Sequence, residues 1–528
     1  MAAASVAPVG TLSDTPNLEL PEIQGNILAG FNKDHQRFLF LSIHDADSAR
    51  RWLRDLVAKG QVSFTPAVKA FNEEYKAERR RQQGREENMP VAAWLNIAFN
   101  YPGLVKLQAA DVAQLPEDFR QGMSARAAII GDLDGNAPAQ WEQWAQDREH
   151  LHLLVMLAAD VAATLEANVA TLLATLPGSG MTLCHDECGE NPVSGSGNEH
   201  FGFKDGISQP GIRGFTPSTH TPPPQTTAQG IPGQDLLWPG EFVLGYPTQI
   251  AERPAGTWDG PNPDPGPVSS GGPAWTRNGS FLVFRKLAQD VAGFRNSVGA
   301  TARTLAIDPE VLGAKIVGRF RSGCPMEALS DPVSGSPGTA LGDPSRSNPA
   351  LLSPEHINDF EYGEDLSGSL VPRSGHVRKA YPRDEQFLTS AGAVDPNSAL
   401  HESATQTHRL IRRGIPYGPE VPIPENGSLG DTFHEDGEQR GLLFLAYQKS
   451  IAAQFEFVQN AWVNNPDFPQ PGDGVDPVMS QVSPAPLVCP FKAGAAPQSI
   501  ELQHFVSTRG GEYFFQPSLA ALKLIAGS

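Results

Sequence analysis

HLHLLVMLAADVAATLEANVATLLATL, residues His150–Leu176, decides the fold. The part from His150 to Asp160 is a nearly uninterrupted apolar run that predicts a strand, and the rest of the stretch repeats apolar residues at helical spacing. Phe38–Asp47 predicts an earlier strand with a helix after it, and the stretch from Val91 predicts another strand. This alternation is typical of a ferredoxin-like α+β unit with an antiparallel sheet.

The second part of the chain repeats the pattern. Stretches that begin at Phe281, Gly441 and Glu512 predict strands, and the stretch that begins at Ile451 predicts a helix. Because 528 residues exceed one ordinary core, two similar ferredoxin-like halves with long loop insertions account for the length. We therefore expect an N-terminal tail (1–19), a first half (20–215), Pro/Gly-rich connecting loops (216–275) and a second half (276–528).

Composition excludes several classes of protein. The net charge of −19 argues against nucleic acid as a partner, because binding phosphates requires a basic face. Four cysteines in a chain of this length do not make a disulfide scaffold. The sequence has no run of about 20 uncharged apolar residues, so we expect no membrane contact. The N-terminus lacks the pattern of a signal peptide, which leaves the compartment open between the cytoplasm and a processed secreted protein.

Two motifs suggest chemistry that the rest of the sequence does not support. CHDEC (Cys184–Cys188) offers thiols and an imidazole, but its spacing is not that of a usual zinc site and no second pair matches it. GSGNEHFG (Gly195–Gly202) has His200 where the dinucleotide-binding fingerprint requires glycine. The sequence also contains neither a phosphate-binding GKS or GKT motif nor a G-x-S-x-G elbow. The sequence therefore lacks the motifs that usually indicate nucleotide binding or serine hydrolysis.

Two of the thirteen histidines lie in arginine-rich surroundings. His376 belongs to GHVRKAYPRDE, and His408 belongs to THRLIRRGIPYGPE. Taken alone, either histidine is more often structural than functional, and the residue types do not decide between the two readings.

Three stretches in order resemble the dye-decolourising peroxidases, which are haem enzymes built from two ferredoxin-like halves. They are GFKDGISQP from Gly202, GHVRKAYPRDE from Gly375 and RRGIPYGPE from Arg412. The stretches from Ile23 and Gly510 are similar to the first and last strands of that family. The likeness covers the chain from about residue 20 onward and implies a dimeric α+β barrel type of fold with haem b as cofactor.

The resemblance implies a distal site above the haem. Asp205 corresponds to the acid–base residue, and Gly202 and Gly206 would let the backbone approach the porphyrin. Arg412 corresponds to a fixed distal cation, with its neighbour Arg413 as the competing candidate. A carboxylate over the metal can take a proton from one peroxide oxygen and return it to the other. An apolar pocket would raise the pKa of Asp205 and a guanidinium would lower it, so the two effects partly cancel.

The resemblance also implies the proximal side. His376 corresponds to the residue that binds iron, and Arg378 is a further predicted cofactor contact. Asp476 is the candidate acceptor that orients the imidazole of His376, and Asp473 is the alternative. The family often has Asn-Pro-Arg after the proximal histidine, whereas this sequence has Tyr381 at the asparagine position. That departure leaves the iron ligand intact and puts contacts around the haem edge in doubt.

Four further residues complete the predicted site. Leu442 and Phe444 are two apart on one strand, which suits an apolar distal wall and equally suits an ordinary core. Bulky dyes would not reach the iron, so we expect a relay of oxidisable side chains to the surface. Tyr417 and Trp462 are the candidates for that relay, and packing is the alternative role for both.

The resemblance implies a haem peroxidase that reduces hydrogen peroxide and oxidises dyes, phenolics and other one-electron donors through an oxoferryl intermediate. Two alternatives stay open: a chlorite-dismutase-like haem enzyme, which lacks the Asp–Arg pair, and a haem-carrier or iron-release protein. The expected partners are peroxide and small or bulky aromatic reductants, with the chain a monomer or a homodimer. Its acidic surface favours cationic or neutral substrates.

Overall fold

The computed structural model describes residues 16–82, 88–192, 197–217, 235–252, 262–326, 357–387 without 359, 361 and 364, 400–421, 427–491 without 483, and 496–527. Most of the predicted N-terminal tail and parts of the predicted connecting loops lie outside these residues, so the predicted division of the chain stays a prediction. Within the described ranges, none of the helices combines the length and the hydropathy that crossing a bilayer requires.

The first half alternates strands with helices. Its strands are β1 (His35–Ile43), β2 (Ala93–Phe99), β3 (Leu153–Ala159) and β4 (Met181–Glu190). Its α-helices are α1 (Gly25–Leu28), α2 (Ala46–Ala58), α3 (Thr65–Arg81), α4 (Tyr101–Lys106), α5 (Glu117–Gln121), α6 (Ala127–Ile130), α7 (Gln143–Gln146) and α8 (Ala162–Leu173). Short 3-10 turns cover Leu20–Glu22, Val112–Gln114, Ser124–Arg126, Asp134–Asn136, Pro138–Gln140 and Arg148–His150.

The second half follows a short parallel pair, β5 (Gly211–Ile212) and β6 (Leu236–Leu237). Its strands are β7 (Ser280–Gln289), β8 (Ile411–Arg412), β9 (Ile415–Tyr417), β10 (Gly441–Gln448), β11 (Ala485–Cys489), β12 (Gln498–Leu502) and β13 (Val506–Gln516). Its α-helices are α9 (Val291–Leu305), α10 (Pro309–Val317), α11 (His376–Ala380), α12 (Glu402–Thr405) and α13 (Leu519–Ile525). Ile451–Glu456 and Val458–Val463 are π-helical, and 3-10 turns cover Pro239–Glu241, Ala274–Thr276 and Gln406–His408.

The strands form one main sheet in the order β4-β1-β3-β2-β13-β7-β10-β8, and β9 also pairs with β10. If β8 and β9 count together, each half has the order fourth, first, third, second, which is the ferredoxin-like order. The halves join where Phe515 of β13 pairs with Phe99 of β2. At the other end, Gly189 of β4 packs against Ile415 of β9. The predicted fold of two ferredoxin-like halves is confirmed, and the strands close into a barrel.

The burial of β3 and α8 explains the sequence pattern of His150–Leu176. Every residue of β3 is buried, so the strand needs an apolar side chain on both faces and reads as a continuous apolar run. In α8, the buried residues Leu165, Val169 and Leu172 recur at helical spacing and cover the sheet.

The side chains of β10 point alternately to the barrel core and to the face that carries the candidate site. Leu443 and Leu445 are fully buried in the main core, and Phe444 between them points to the opposite face. Ala446 lies directly opposite Arg412 in the antiparallel pair of β10 with β8. Directly opposed residues share a face, so Arg412 lies on the same face as Phe444.

Candidate active site

The loop that carries Asp205 is fixed by the aromatic residues around it. Phe201 stacks on Phe294 of α9 with ring centroids 4.3 Å apart, and Phe203 meets the same ring edge-on at 6.2 Å. The carboxylate of Glu199 accepts hydrogen bonds from the backbone N–H groups of Phe201 and Phe203 at 2.8 and 2.9 Å. Burial raises the pKa of Glu199 to about 7. The two phenylalanines thus anchor the loop and leave Asp205 free to project from it.

Asp205 forms an ion pair with Arg412. Arg412 Nη1 donates to Asp205 Oδ1 at 2.7 Å, and the N–H of Gly206 donates to the same oxygen at 2.6 Å. The side chains are 36% and 32% exposed, so the pair faces open space. Burial by itself would raise the pKa of Asp205, but the charge and hydrogen bond of Arg412 outweigh it and hold that pKa below its ordinary 3.8. The carboxylate is therefore ionised well into the acid range.

Arg413 points elsewhere. Its guanidinium donates to the backbone carbonyls of Asn26, Ile27 and Leu28 at 3.0, 3.2 and 2.8 Å. These carbonyls belong to α1, where a cation satisfies groups that the helix leaves unpaired. This geometry favours Arg412 over Arg413 as the distal cation.

His376 is held by Asp476. His376 Nδ1 lies 2.8 Å from Asp476 Oδ2, and Oδ1 of the fully buried Asp476 accepts from the N–H groups of Val478 and Met479 at 2.7 and 2.9 Å. Since the carboxylate accepts, Nδ1 donates and Nε2 keeps its lone pair for a metal. Burial lowers the pKa of His376, but the charge of Asp476 outweighs it and the net shift is upward. Asp473, the alternative, lies 3.4 Å from Arg373 instead.

The Asp205–Arg412 pair and His376 are close enough for their charges to act on one another. Asp205 raises the pKa of His376, Arg412 lowers it, and His376 in turn lowers the pKa of Asp205. A Cβ added at Gly206 would meet no heavy atom within 4 Å, so the backbone there borders open space. The Asp205–Arg412 pair and the His376 imidazole are therefore neighbours in the fold.

Two arginines that the sequence interpretation missed add positive charge to this space. Burial, together with the charges of Arg383 and Arg412, lowers the pKa of Arg319 to about 9. Arg383 is buried, and its Nε has no hydrogen-bond partner among the residues that the structure describes. A group of guanidinium ions in which a buried donor is unpaired suits an anionic ligand, such as the carboxylates of a haem. Arg383 lies in GHVRKAYPRDE, one of the three stretches that resemble the family, which was the available signal for it.

Two predicted cofactor contacts, Arg378 and Gly202, have close neighbours within the protein and stay predictions. Arg378 is 1% exposed, and its guanidinium is paired with Glu385 at 2.5 and 2.8 Å and with Asp365 at 3.3 Å, because a buried charge requires partners. Gly202 is buried as well, and a Cβ there would lie 3.3 Å from Arg321 Cδ. Its φ of +103° shows that the turn, rather than a porphyrin, requires glycine at this position.

Of the predicted apolar wall and relay residues, Phe444, Tyr417 and Trp462 are buried and Leu442 is half-buried. Leu442 and Phe444 share the face of β10 on which Arg412 lies. Tyr417 ends β9 and is 7% exposed. Trp462 is 3% exposed and packs against an aromatic cluster made of His408, Phe457 and Phe468. Neither relay candidate therefore reaches the surface by itself.

Comparison with known proteins agrees with this architecture. A model of the DyP dimeric alpha+beta barrel domain matches residues 22–186. The chain is 31% identical to dye-decolorizing peroxidase msp1 of Mycetinis scorodonius, over 99% of this chain and 90% of that one. A crystal structure of a fungal DyP-type peroxidase from Auricularia auricula-judae is 27% identical with a TM-score of 0.71, over 97% of this chain and 100% of that one. A dye-decolorizing peroxidase solved in complex with 2,6-dimethoxyphenol is 28% identical with a TM-score of 0.70, over 96% and 100%.

Proposed function

This chain belongs to the dye-decolorizing peroxidase family and is a haem-dependent peroxidase, and we propose that it binds haem b between His376 and the Asp205–Arg412 pair. The observation that carries the proposal is the proximity of two sets of groups, whose charges act on one another. One set is an ionised carboxylate with a guanidinium, and the other is an imidazole oriented by a carboxylate. A haem carrier has no need for the first set, and chlorite breakdown does not use it.

The residues present fit haem b. His376 Nε2 is available to bind iron, and Asp476 fixes the ring and raises its basicity. Arg319 and Arg383 suit the two propionates, since both are buried cations and Arg383 Nε has no hydrogen-bond partner among the described residues. Phe444 and its neighbours on β10 supply an apolar surface for the porphyrin face.

Asp205 handles the proton during peroxide cleavage. Bound haem iron supplies the site for peroxide and the electrons that split its O–O bond. With haem bound, Asp205 would accept a proton from one peroxide oxygen and deliver it to the other, which leaves as water. The low pKa of Asp205 keeps it ionised at the start of this step, so it acts as a base in mild acid, where a histidine would already be protonated.

Arg412 stabilises charge and stays protonated throughout. Its Nη2 donates to the carbonyl of Ser208 at 3.2 Å, and its Nη1 donates to Asp205, so the guanidinium is fixed before peroxide arrives. A preorganised cation of this kind stabilises negative charge that develops on the departing oxygen.

Phenols and dyes are the proposed electron donors. The dye-decolorizing peroxidase that was solved with 2,6-dimethoxyphenol supports small phenols as substrates. Bulky dyes cannot approach the iron, and we retain Tyr417 and Trp462 as steps of a relay toward them. We also propose that the chain is a monomer or a homodimer and that neither a membrane nor nucleic acid is its partner.

The test of the function is the spectrum of the purified protein loaded with haem. We expect a Soret band that shifts within the mixing time of a stopped-flow instrument when peroxide is added, followed by recovery on addition of 2,6-dimethoxyphenol. A haem-loaded protein whose Soret band ignores peroxide would be a carrier.

The relay is tested separately with Tyr417→Phe and Trp462→Phe. Each is expected to slow the oxidation of a large anthraquinone dye while the Soret response to peroxide stays as in the parent. If both variants decolourise the dye at the parental rate, these two residues only pack the interior.

A further inference from the structure

Arg412 belongs to β8, the last strand in the order of the main sheet, which pairs with β10 on one side. The N–H of the next residue, Arg413, donates to the carbonyl of Leu445 in β10 at 2.7 Å. Because successive backbone groups of a strand point in opposite directions, the N–H and C=O of Arg412 face away from β10. These two groups require partners from outside the strand pair.

The half-buried side chain of Gln209 supplies both partners. Gln209 Nε2 donates to the carbonyl of Arg412 at 3.0 Å, and the N–H of Arg412 donates to Gln209 Oε1 at 3.1 Å. One carboxamide thus satisfies both outward backbone groups of Arg412, as a neighbouring strand would. This pair of hydrogen bonds fixes the backbone position from which the guanidinium extends.

The segment 205–209 also holds the guanidinium of Arg412. The carbonyl of Ser208 accepts from Arg412 Nη2 at 3.2 Å, and Asp205 Oδ1 accepts from Arg412 Nη1 at 2.7 Å. Ser208 is itself fixed, since Arg319 Nη2 donates to its hydroxyl at 2.8 Å. The long side chain of Arg412 is therefore held at its backbone and at its charged end, which preorganises the cation toward Asp205.

We propose that Gln209 is a positioning residue for the peroxide step, because its carboxamide fixes the backbone of Arg412 and thereby holds the guanidinium against Asp205. The inference rests on the proposed peroxidase function, in which Arg412 stabilises charge and Asp205 moves the proton. Gln209 acts through Arg412 in this role and has no direct part in the chemistry of peroxide.

The consequence of moving Arg412 follows from the groups around Asp205. Burial raises the pKa of Asp205, and the charge and hydrogen bond of Arg412 are the larger of the effects that lower it. The N–H of Gly206 and the charge of His376 lower this pKa further. Glu199 has a pKa of about 7, so it is neutral in mild acid and adds no charge there. If the guanidinium moves away, the pKa of Asp205 rises and the base is lost at a higher pH.

The test compares Gln209→Met with Gln24→Met in the haem-loaded full chain. Methionine keeps the length of the side chain and removes both hydrogen bonds. Gln24 is the matched control, because its carboxamide bonds in the same way to the N–H and C=O of Ile97 in β2, both at 2.9 Å. Gln24 is fully buried and also donates to the carbonyl of Pro517 at 2.8 Å, so its loss should destabilise the fold at least as much.

Gln209→Met is expected to change both the rate of the peroxide step and its pH profile. At neutral pH, the Soret response to peroxide should slow on the order of 10- to 100-fold, because the cation is no longer held in place. The pH at which the rate falls in acid should move upward by about one unit, because Asp205 loses part of the effect of Arg412. Gln24→Met should keep the parental rate and the parental pH profile, although it unfolds at a lower temperature.

Cyanide binding provides a readout other than turnover. Cyanide arrives as neutral hydrogen cyanide and must give its proton to a base when it binds to haem, so its association rate should follow the ionisation of Asp205. The acid decline of this rate should move upward in Gln209→Met by the same amount as that of the peroxide step. It should stay at the parental pH in Gln24→Met, because a general loss of packing does not move it.

The outcomes distinguish the role of Gln209 from the function on which it rests. Parental rates with a parental pH profile in Gln209→Met, or equal changes in both variants, would overturn the positioning role while leaving the peroxidase function intact. A parent protein whose Soret band ignores peroxide would instead remove the proposed function, and the role of Gln209 with it.

Discussion

Replacing Asp205 by Asn removes the base while changing little else. Asp205 Oδ1 accepts from Arg412 at 2.7 Å and from the N–H of Gly206 at 2.6 Å, and an amide oxygen can accept both bonds. The amide cannot take a proton from peroxide. We therefore expect Asp205→Asn to keep its fold and haem and to lose about 10²- to 10⁴-fold in the rate of the peroxide step.

The expected changes in rate and in stability distinguish a chemical role of Asp205 from a structural one. A loss of about 10²- to 10⁴-fold corresponds to a barrier higher by about 2.7 to 5.4 kcal/mol. The ion pair is about one-third exposed on both sides, so its loss should lower the free energy of unfolding by less than about 1 kcal/mol. Asp436→Asn is the matched control, because Asp436 pairs with Arg440 at the same 2.7 Å and is 35% exposed against 36% for Asp205.

The assay is stopped-flow measurement of the Soret change across pH 3 to 8. Because Arg412 holds the pKa of Asp205 below 3.8, the base is ionised above that value and is lost as pH falls through it. The parent rate should therefore persist in mild acid and decline only below about pH 4. Asp205→Asn should lack this decline. A parental rate in Asp205→Asn, with Arg412→Leu inactive, would assign the peroxide chemistry to Arg412 and make Asp205 a turn residue.

Two further outcomes concern the proximal side. His376→Ala should greatly reduce haem retention or abolish the spectrum of a nitrogen-ligated haem, whereas His408→Ala should keep both; normal haem content and spectrum in His376→Ala would refute the ligand assignment. Asp476→Asn presents a donor to His376 Nδ1 and opposes the tautomer that binds iron, so haem titration should show affinity about 10- to 100-fold weaker. Asp473→Asn should bind haem as the parent does, and equal affinities in the two variants would exclude the orienting role of Asp476.

The fold was largely predictable because its signals are local. The apolar run of β3 and the helical spacing of α8 follow from burial that the sequence pattern records directly. The register of β10 against β8, which brings Arg412 onto the face of Phe444, depends on pairing between distant strands and has no local signal.

The candidate site was predictable where one residue type carries the role. Asp205, Arg412, His376 and Asp476 were identified from the likeness to the family; Asp205 pairs with Arg412, His376 pairs with Asp476, and their roles stay proposals. The net direction of the pKa of Asp205 required the distance to Arg412, because burial and charge oppose one another.

The sequence is least informative where a residue's role depends on partners that are remote in the chain or buried. Arg378 is two residues from His376, yet the buried Glu385 takes its guanidinium. Arg319 and Arg383 are 64 positions apart, counting from residue 319 to residue 383, and only the folded chain shows that their charges act on each other.

Arg413 ties the second half of the barrel to the first. Its guanidinium holds the carbonyls of α1, while the adjoining Arg412 reaches Asp205 in the loop that follows β4. The dipeptide Arg412–Arg413 thus forms hydrogen bonds with two separate segments of the first half. If Asp205 and Arg412 form the proposed reaction centre, neither half contains it alone, and a substitution that weakens the contacts of Arg412 or Arg413 should affect peroxide cleavage from outside the pocket.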